Sequence, residues 1–201
     1  DGPVKRNWYY PSRSDCKACH TKASTFVLSI NTRQLNRLHN DDGQMVNQLE
    51  SWEQAGMFSK PLPKRPADLE TYPDWHLADV PLDDKQPTDS DSVDILARAY
   101  LDVNCAFCHM PGGPGNSPID LRYHTPLEQT VMLNITPRGT RASGPPATAL
   151  ITPNRPGDSE LVRRMEMRGP GQMPILATFV NDEKAIKVVS EWIHQMSPSH
   201  R

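Results

Sequence analysis

The chain has 201 residues, a formal net charge of −2 and 20 prolines, and hydrophobic residues make up only 36% of it. This length allows one or two domains, and the near-neutral charge gives no indication of the basic stripe that nucleic-acid binding requires. The longest apolar run is far shorter than the roughly 18 residues of a membrane span. We therefore expect no membrane span and no nucleic-acid partner, a thin protein core, and many irregular loops, since proline is about twice as frequent as the usual 5%.

Residues 16–20 have the sequence C-x-x-C-H, and residues 105–109 repeat it. Two thiols three positions apart can each bond one vinyl group of a porphyrin, while the adjoining histidine ligates the iron. The two copies use every cysteine of the chain, so the sequence predicts two covalently attached haem c groups. Their predicted attachment residues and iron ligands are Cys16, Cys19 and His20, and Cys105, Cys108 and His109.

Other uses of C-x-x-C pairs fit less well. The pairs of a Cys₄ zinc site are usually about 15–20 residues apart, whereas Cys19 and Cys105 are much further apart. A redox-active disulfide is expected in a βαβ pattern, which flanks neither pair. Because haem c is attached outside the bacterial cytoplasmic membrane, we expect an exported, periplasmic protein. The chain begins at Asp1 without an apolar stretch, which fits a removed signal peptide or a piece of a longer exported chain.

The first domain, predicted over residues 1–60, is atypical. It lacks the usual N-terminal helix, because residues 8–11 occupy the place where a helix would normally precede the motif. Residues 44–55 predict a helix that ends at Gly56. Met57 follows this stop and is the favoured distal ligand of the first haem. Its alternatives are Met45, His39, His76 or an open position.

A Pro- and Asp-rich stretch, residues 61–91, has no helical period and predicts an extended linker that wraps over one or both halves. The second domain is predicted over residues 92–201. Residues 92–103 form an amphipathic pattern that leads into Cys105. Two further helices are predicted, over residues 160–168 and from Asn181 onwards.

Between His109 and Asp158 the sequence has a long segment of low periodicity. Apolar residues alternate around residues 119–123 and 131–135, which predicts a short β-hairpin. Arg122, Arg138 and Arg141 are candidate partners for haem propionates, although solvated loop arginines are the more usual case. The predicted fold class is therefore mainly α, with two haem domains, long irregular loops and one short hairpin in the second domain.

The order of helix, motif, loop and closing helix in the second half resembles a class I cytochrome c domain. That resemblance implies a distal methionine in the irregular loop before the last helix, often followed by proline. Met173, followed by Pro174, occupies this place, and Met132 is its rival.

The whole chain also resembles a bacterial family of exported dihaem cytochrome c-like proteins. The segments that carry this resemblance are residues 10–21, 31–37, 47–49, 98–113 and 120–122. Some members are attached to a β-propeller of the glucose/sorbosone dehydrogenase type, which uses pyrroloquinoline quinone (PQQ). The resemblance implies a cytochrome that accepts electrons from such a quinoprotein and passes them to a downstream cytochrome or oxidase.

The sequence thus predicts an electron carrier without catalytic residues of its own. The alternative is a dihaem peroxidase-like enzyme, which needs one iron with an open or displaceable sixth position. A gas- or redox-sensing module is a third interpretation, and it would need an output domain that these residues lack.

Overall fold

The computed structural model describes residues 8–28, 30–75, 90–133, 135–137 and 149–197. We refer to residues 8–75 as the first half and to residues 90–197 as the second half. The described residues contain more helix than strand, together with one small antiparallel sheet. The elements in chain order are α1 (Arg13–Cys19), α2 (Thr32–Leu35), β1 (Leu38–Asp41), β2 (Gln44–Asn47), α3 (Gln48–Gln54), α4 (Ser90–Leu101), α5 (Glu160–Glu166) and α6 (Glu183–Gln195).

The only sheet of the described residues is a hairpin in the first half, where His39 pairs with Val46 across the β1–β2 ladder. Asp42 and Gly43 both have positive φ, as the two central residues of a tight hairpin turn require. The prediction of a helix over residues 44–55 is therefore wrong for its first four residues, which form β2. The helix begins only after Asn47, whose side chain accepts a hydrogen bond from the Leu49 amide.

The hairpin predicted in the second half is wrong for the described residues. Their only β-pairing there is two isolated bridges, one of which joins Leu133 to Ile151. Two features break the extended backbone that the alternating pattern suggested. A 3₁₀ turn follows Pro126, and Val131 has a φ of 57° in the left-handed region.

The three helices predicted in the second half are confirmed, with small shifts at their ends. α5 ends at Glu166, two residues earlier than predicted, and α6 begins after Asp182, which accepts a hydrogen bond from the Ala185 amide at 3.0 Å. α4 packs against α6. The Trp192 indole joins the two helices by donating a hydrogen bond to Asp94 at 2.8 Å.

Burial is very unequal between the two halves. The main core lies entirely in the second half, where α4, α5 and α6 enclose it. Its buried side chains include Val93, Leu96, Leu101, Met132, Ile151, Val162, Met165, Ile186, Val189, Trp192 and Ile193. In the described part of the first half, the buried apolar residues are Leu49 and Pro66.

The described part of the predicted linker, residues 61–75, contacts the preceding residues of the first half and also the second half. The Asn36 amide donates to the carbonyls of Pro66 and Leu69, at 2.9 and 3.1 Å. Tyr72 donates from its hydroxyl to the Asp102 carboxylate of the second half. Residues 76–89 lie outside the described residues. No helix among the residues that the structure describes is long and apolar enough to cross a membrane.

Candidate haem-attachment sites

The first motif lies on α1, a short helix that the sequence analysis did not anticipate. The Ser12 side chain caps it by accepting from the Asp15 amide, and the Asp15 carboxylate accepts from the Ser12 amide at 2.9 Å. Tyr9 donates to the same carboxylate at 2.7 Å. Helical geometry places Cys16 and Cys19, three positions apart, on one face, as attachment to a single porphyrin requires.

His20 follows the end of α1 and is oriented by the turn after it. Its ring nitrogen Nδ1 is 2.8 Å from the Phe26 carbonyl. Because a carbonyl can only accept, Nδ1 carries the proton and Nε2 keeps its lone pair for a metal. Ser24 supports this turn by donating to the Cys19 carbonyl at 3.0 Å.

Exposed apolar side chains lie near the first motif. Phe26 and Ile30 are each 61% exposed, and Val27 is also mostly exposed. The first half has little other apolar material with which to bury them. A porphyrin is a large apolar plate that could cover such side chains, and the free thiols of Cys16 and Cys19 can attach it. The residues of the first motif therefore fit a covalently bound haem.

The second motif continues directly from α4 through a π-helical turn, Asp102–Ala106, which contains Cys105. Burial, and then the neighbouring Cys108, raise the pKa of Cys105 to about 12. Burial, and then contact with Cys19, raise the pKa of Cys108 to about 12. Both thiols are therefore protonated at physiological pH.

Glycines pack closely around the second motif. A Cβ atom on Gly115 would lie 2.6 Å from Nδ1 of His109 and 2.8 Å from the Cys108 carbonyl oxygen. Gly115 thus packs close to Nδ1 of His109, which is buried and has no hydrogen-bond partner among the described residues. Burial, and then the charge of Arg164, lower the pKa of His109. A neutral imidazole is the form that ligates iron, so His109 fits the predicted proximal role.

We expect Gly115→Ala to displace His109, because the added methyl group has no room beside the ring. Overpacking of this kind costs about 1–3 kcal/mol. Gly157→Ala is the matched control, since a Cβ atom there meets nothing within 4 Å. The measurement is the visible and EPR spectrum of the haem-loaded chain. Gly115→Ala should alter the low-spin signal of one centre, and an unchanged spectrum would contradict this role of Gly115.

Met173 lies in the loop between α5 and α6, residues 167–182, and is half-buried. Its amide donates to the Arg164 carbonyl at 2.9 Å, and the Arg164 side chain is close enough to His109 to influence its pKa. The structure therefore brings the loop that carries Met173 to the same part of the molecule as the second motif.

Two polar side chains hold this loop, and neither was identified from the sequence. Arg168 donates to the Met165 carbonyl at 2.9 Å and to the Val180 carbonyl, so it ties the two ends of the loop together. Gln172 accepts from the Gly169 amide at 2.7 Å and donates to the Pro174 carbonyl at 2.9 Å. Their position beside Met173 was visible in the sequence, but their bonding was not.

The other candidate ligands occupy different environments. Met132 is 2% exposed and packs in the core of the second half, which argues against it as the rival of Met173. Met57 and Met45 are 62% and 61% exposed, so each would have to gain its cover from the haem itself. His39 is half-buried in β1, and its Nδ1 has no hydrogen-bond partner among the described residues. His76 lies outside the described residues.

Arg122, a candidate propionate partner, forms a bidentate ion pair with Asp120. Its Nε and Nη2 donate to the carboxylate at 2.9 and 2.7 Å. Burial opposes ionisation of Asp120, but the bonds from Arg122 and Thr125 outweigh it and hold the pKa of this carboxyl below its ordinary value. The guanidinium is therefore already paired. Arg138 and Arg141 lie outside the described residues.

The two motifs approach each other at Cys19 and Cys108. In the part of the chain that the structure describes, no three or more His, Cys, Asp or Glu side chains converge as a metal-binding cluster. The described geometry thus contains no four-cysteine site of the zinc type. Comparison of the chain with family models, with curated proteins and with solved structures found no match.

Proposed function

We propose that the chain is a dihaem c-type cytochrome with two cytochrome c-like domains that carries electrons in the bacterial periplasm. The observation that carries this proposal is the pair of C-x-x-C-H motifs, which accounts for all four cysteines. In the first motif, the hydrogen bond from Nδ1 of His20 to the Phe26 carbonyl leaves Nε2 available for iron. In the second motif, burial favours the neutral imidazole of His109, which is the form that can ligate iron. The proposed donor is a PQQ-dependent sugar or alcohol dehydrogenase, and the proposed acceptor is a downstream cytochrome or oxidase.

The roles of the residues follow from their chemistry. Haem c supplies an iron that changes between Fe(III) and Fe(II) when it is bound. Cys16 and Cys19 would anchor one group, and Cys105 and Cys108 the other. The hydrogen bond from His20 to the Phe26 carbonyl fixes the tautomer and the ring orientation of that ligand.

Three features of the second half support a class I-like haem domain. α4 leads directly into the second motif, α6 closes against α4, and the loop with Met173 lies between α5 and α6. A thioether donor on the distal side favours Fe(II) and raises the reduction potential. Arg168 and Gln172 hold the loop in place, which would let Met173 act as a fixed ligand.

The first half supports haem attachment in a different way. It has exposed apolar side chains near α1 and few buried apolar residues, so a large apolar group such as a porphyrin would give those side chains a surface to pack against. Met57 and Met45 are both exposed, which favours a first haem without a methionine ligand. Such a haem could react with peroxide. A dihaem peroxidase-like enzyme is therefore the second candidate function.

Stopped-flow kinetics separate these two functions. We expect ascorbate with a phenylenediamine mediator to reduce both centres rapidly. We also expect hydrogen peroxide to react with the half-reduced protein no faster than with an ordinary six-coordinate cytochrome c. A fast, saturable peroxide turnover that disappears in His20→Ala, while Met173→Ala retains it, would make the chain an enzyme.

A further inference from the structure

The two motifs lie far apart in the sequence but meet in the structure. The side chains of Cys108 and Cys19 are close enough to interact. Each of these is the second cysteine of its motif and directly precedes the proximal histidine, His20 or His109. The contact therefore joins equivalent points of the two predicted attachment sites.

An independent contact also brings the first motif close to the second site. The rings of Trp8 and Phe179 lie 5.1 Å apart, centroid to centroid. Trp8 directly precedes Tyr9, which is bonded to Asp15 of the helix that carries the first motif. Phe179 belongs to the loop that carries Met173. Two separate contacts thus join the surroundings of the two sites.

Tyr72 fixes the position of the two halves close to this junction. Its hydroxyl donates to the Asp102 carboxylate and accepts from the Asn31 amide at 3.0 Å. Its ring also packs edge-on against Tyr123, with centroids 5.2 Å apart. Asp102 lies three residues before Cys105 and accepts from the Tyr123 amide at 3.1 Å. The first half is therefore bonded to the same turn that carries the second motif.

We infer that Cys19 and Cys108 would anchor two haems at neighbouring points, so that the two groups would be coupled rather than independent. This inference rests on the proposed function. A thioether bond fixes one edge of each porphyrin at its sulfur, and neighbouring sulfurs therefore bring the two edges together. Two haems anchored in this way would supply a path for electron exchange within one chain.

Circular dichroism in the Soret region of the haem-loaded chain tests this inference. Two porphyrins in close proximity couple their transitions, so we expect a couplet with two lobes of opposite sign. The double variant Cys16→Ser, Cys19→Ser retains one haem and should give a single-signed band. A wild-type spectrum without a couplet would overturn the inference.

A second measurement avoids any dependence on the folding of that variant. A low-spin Fe(II) haem is diamagnetic, so half-reduction removes one of two interacting spins. The remaining Fe(III) signal should then saturate at a lower microwave power than it does in the fully oxidised protein. Equal saturation in both states would overturn the inference.

Intact mass separates this failure from failure of the proposed function. Two attached haems without spectral or magnetic coupling would refute the coupled pair and leave the cytochrome assignment standing. A bare polypeptide would refute both. A polypeptide lighter by two hydrogens, with Cys19 and Cys108 joined as a disulfide, would also refute both.

Discussion

Replacing Met173 with alanine should lower the reduction potential of one haem centre by on the order of 0.1 V or more, within the roughly 0.8 V range that axial ligation spans. The reason is that, in the proposed function, Met173 supplies a thioether that favours Fe(II). Its loop is tied to α5 through the Arg164 carbonyl and is held across its ends by Arg168. The potential of the other centre should stay unchanged in a spectroelectrochemical titration.

Met132→Ala is the matched control for this experiment. Met132 is 2% exposed in the core of the second half, so its truncation should cost about 2–5 kcal/mol of unfolding free energy. We expect both potentials and the Met–iron charge-transfer band to survive in this variant. If Met173→Ala leaves the band intact and Met132→Ala removes it, the ligand assignment is wrong.

The double variant Cys16→Ser, Cys19→Ser should lose the protease resistance of the first half while the second half stays folded. The first half buries few apolar residues of its own, and Phe26, Val27 and Ile30 are mostly exposed without a covering group. We expect trypsin to cleave residues 8–75 at least about tenfold faster, which corresponds to about 1.4 kcal/mol of local opening free energy.

Limited proteolysis followed by mass spectrometry measures this effect. The control is the corresponding variant of the second motif, Cys105→Ser, Cys108→Ser. The second half has a protein core enclosed by α4, α5 and α6. In this control variant, fragments of the second half should therefore persist longer than fragments of the first half. Equal cleavage rates in the first half of the wild type and of the first-motif variant would show that this half does not depend on its haem.

Sequence periodicity predicted the second half better than the first for a physical reason. α4 and α6 are long enough to show the apolar stripe of a helix that packs on a core, and both were anticipated. α1 is seven residues long and has no buried residue, so its sequence shows no apolar stripe from which a helix could be predicted. Its signal was local, because Ser12 and Asp15 have the spacing of a capping box.

The hairpin was misplaced because local turn chemistry outweighed alternation. Asp42-Gly43 is a strong hairpin turn signal. The helical spacing of Met45, Leu49 and Trp52 nevertheless favoured a helix over residues 44–55. Around residues 119–135, alternating apolar side chains come from irregular backbone. Ile119 and Leu121 are buried in the core although neither belongs to a strand. Alternation alone does not distinguish these cases.

The motif residues could be predicted from the sequence, but their spatial relation could not. C-x-x-C-H is a local pattern, so Cys16, Cys19, His20 and their counterparts required no fold. The contact between Cys19 and Cys108 depends on how the chain bridges the two halves through Tyr72. The same holds for Gly115, whose packing against His109 is a tertiary contact.

The central claim is that the chain carries two covalently attached haem c groups. Intact mass under denaturing conditions, on protein exported from a host with c-type cytochrome maturation, tests it most directly. The account predicts one species with the mass of the polypeptide plus two haems, since Cys16, Cys19, Cys105 and Cys108 can form four thioether bonds. A species with the mass of the bare polypeptide would contradict it.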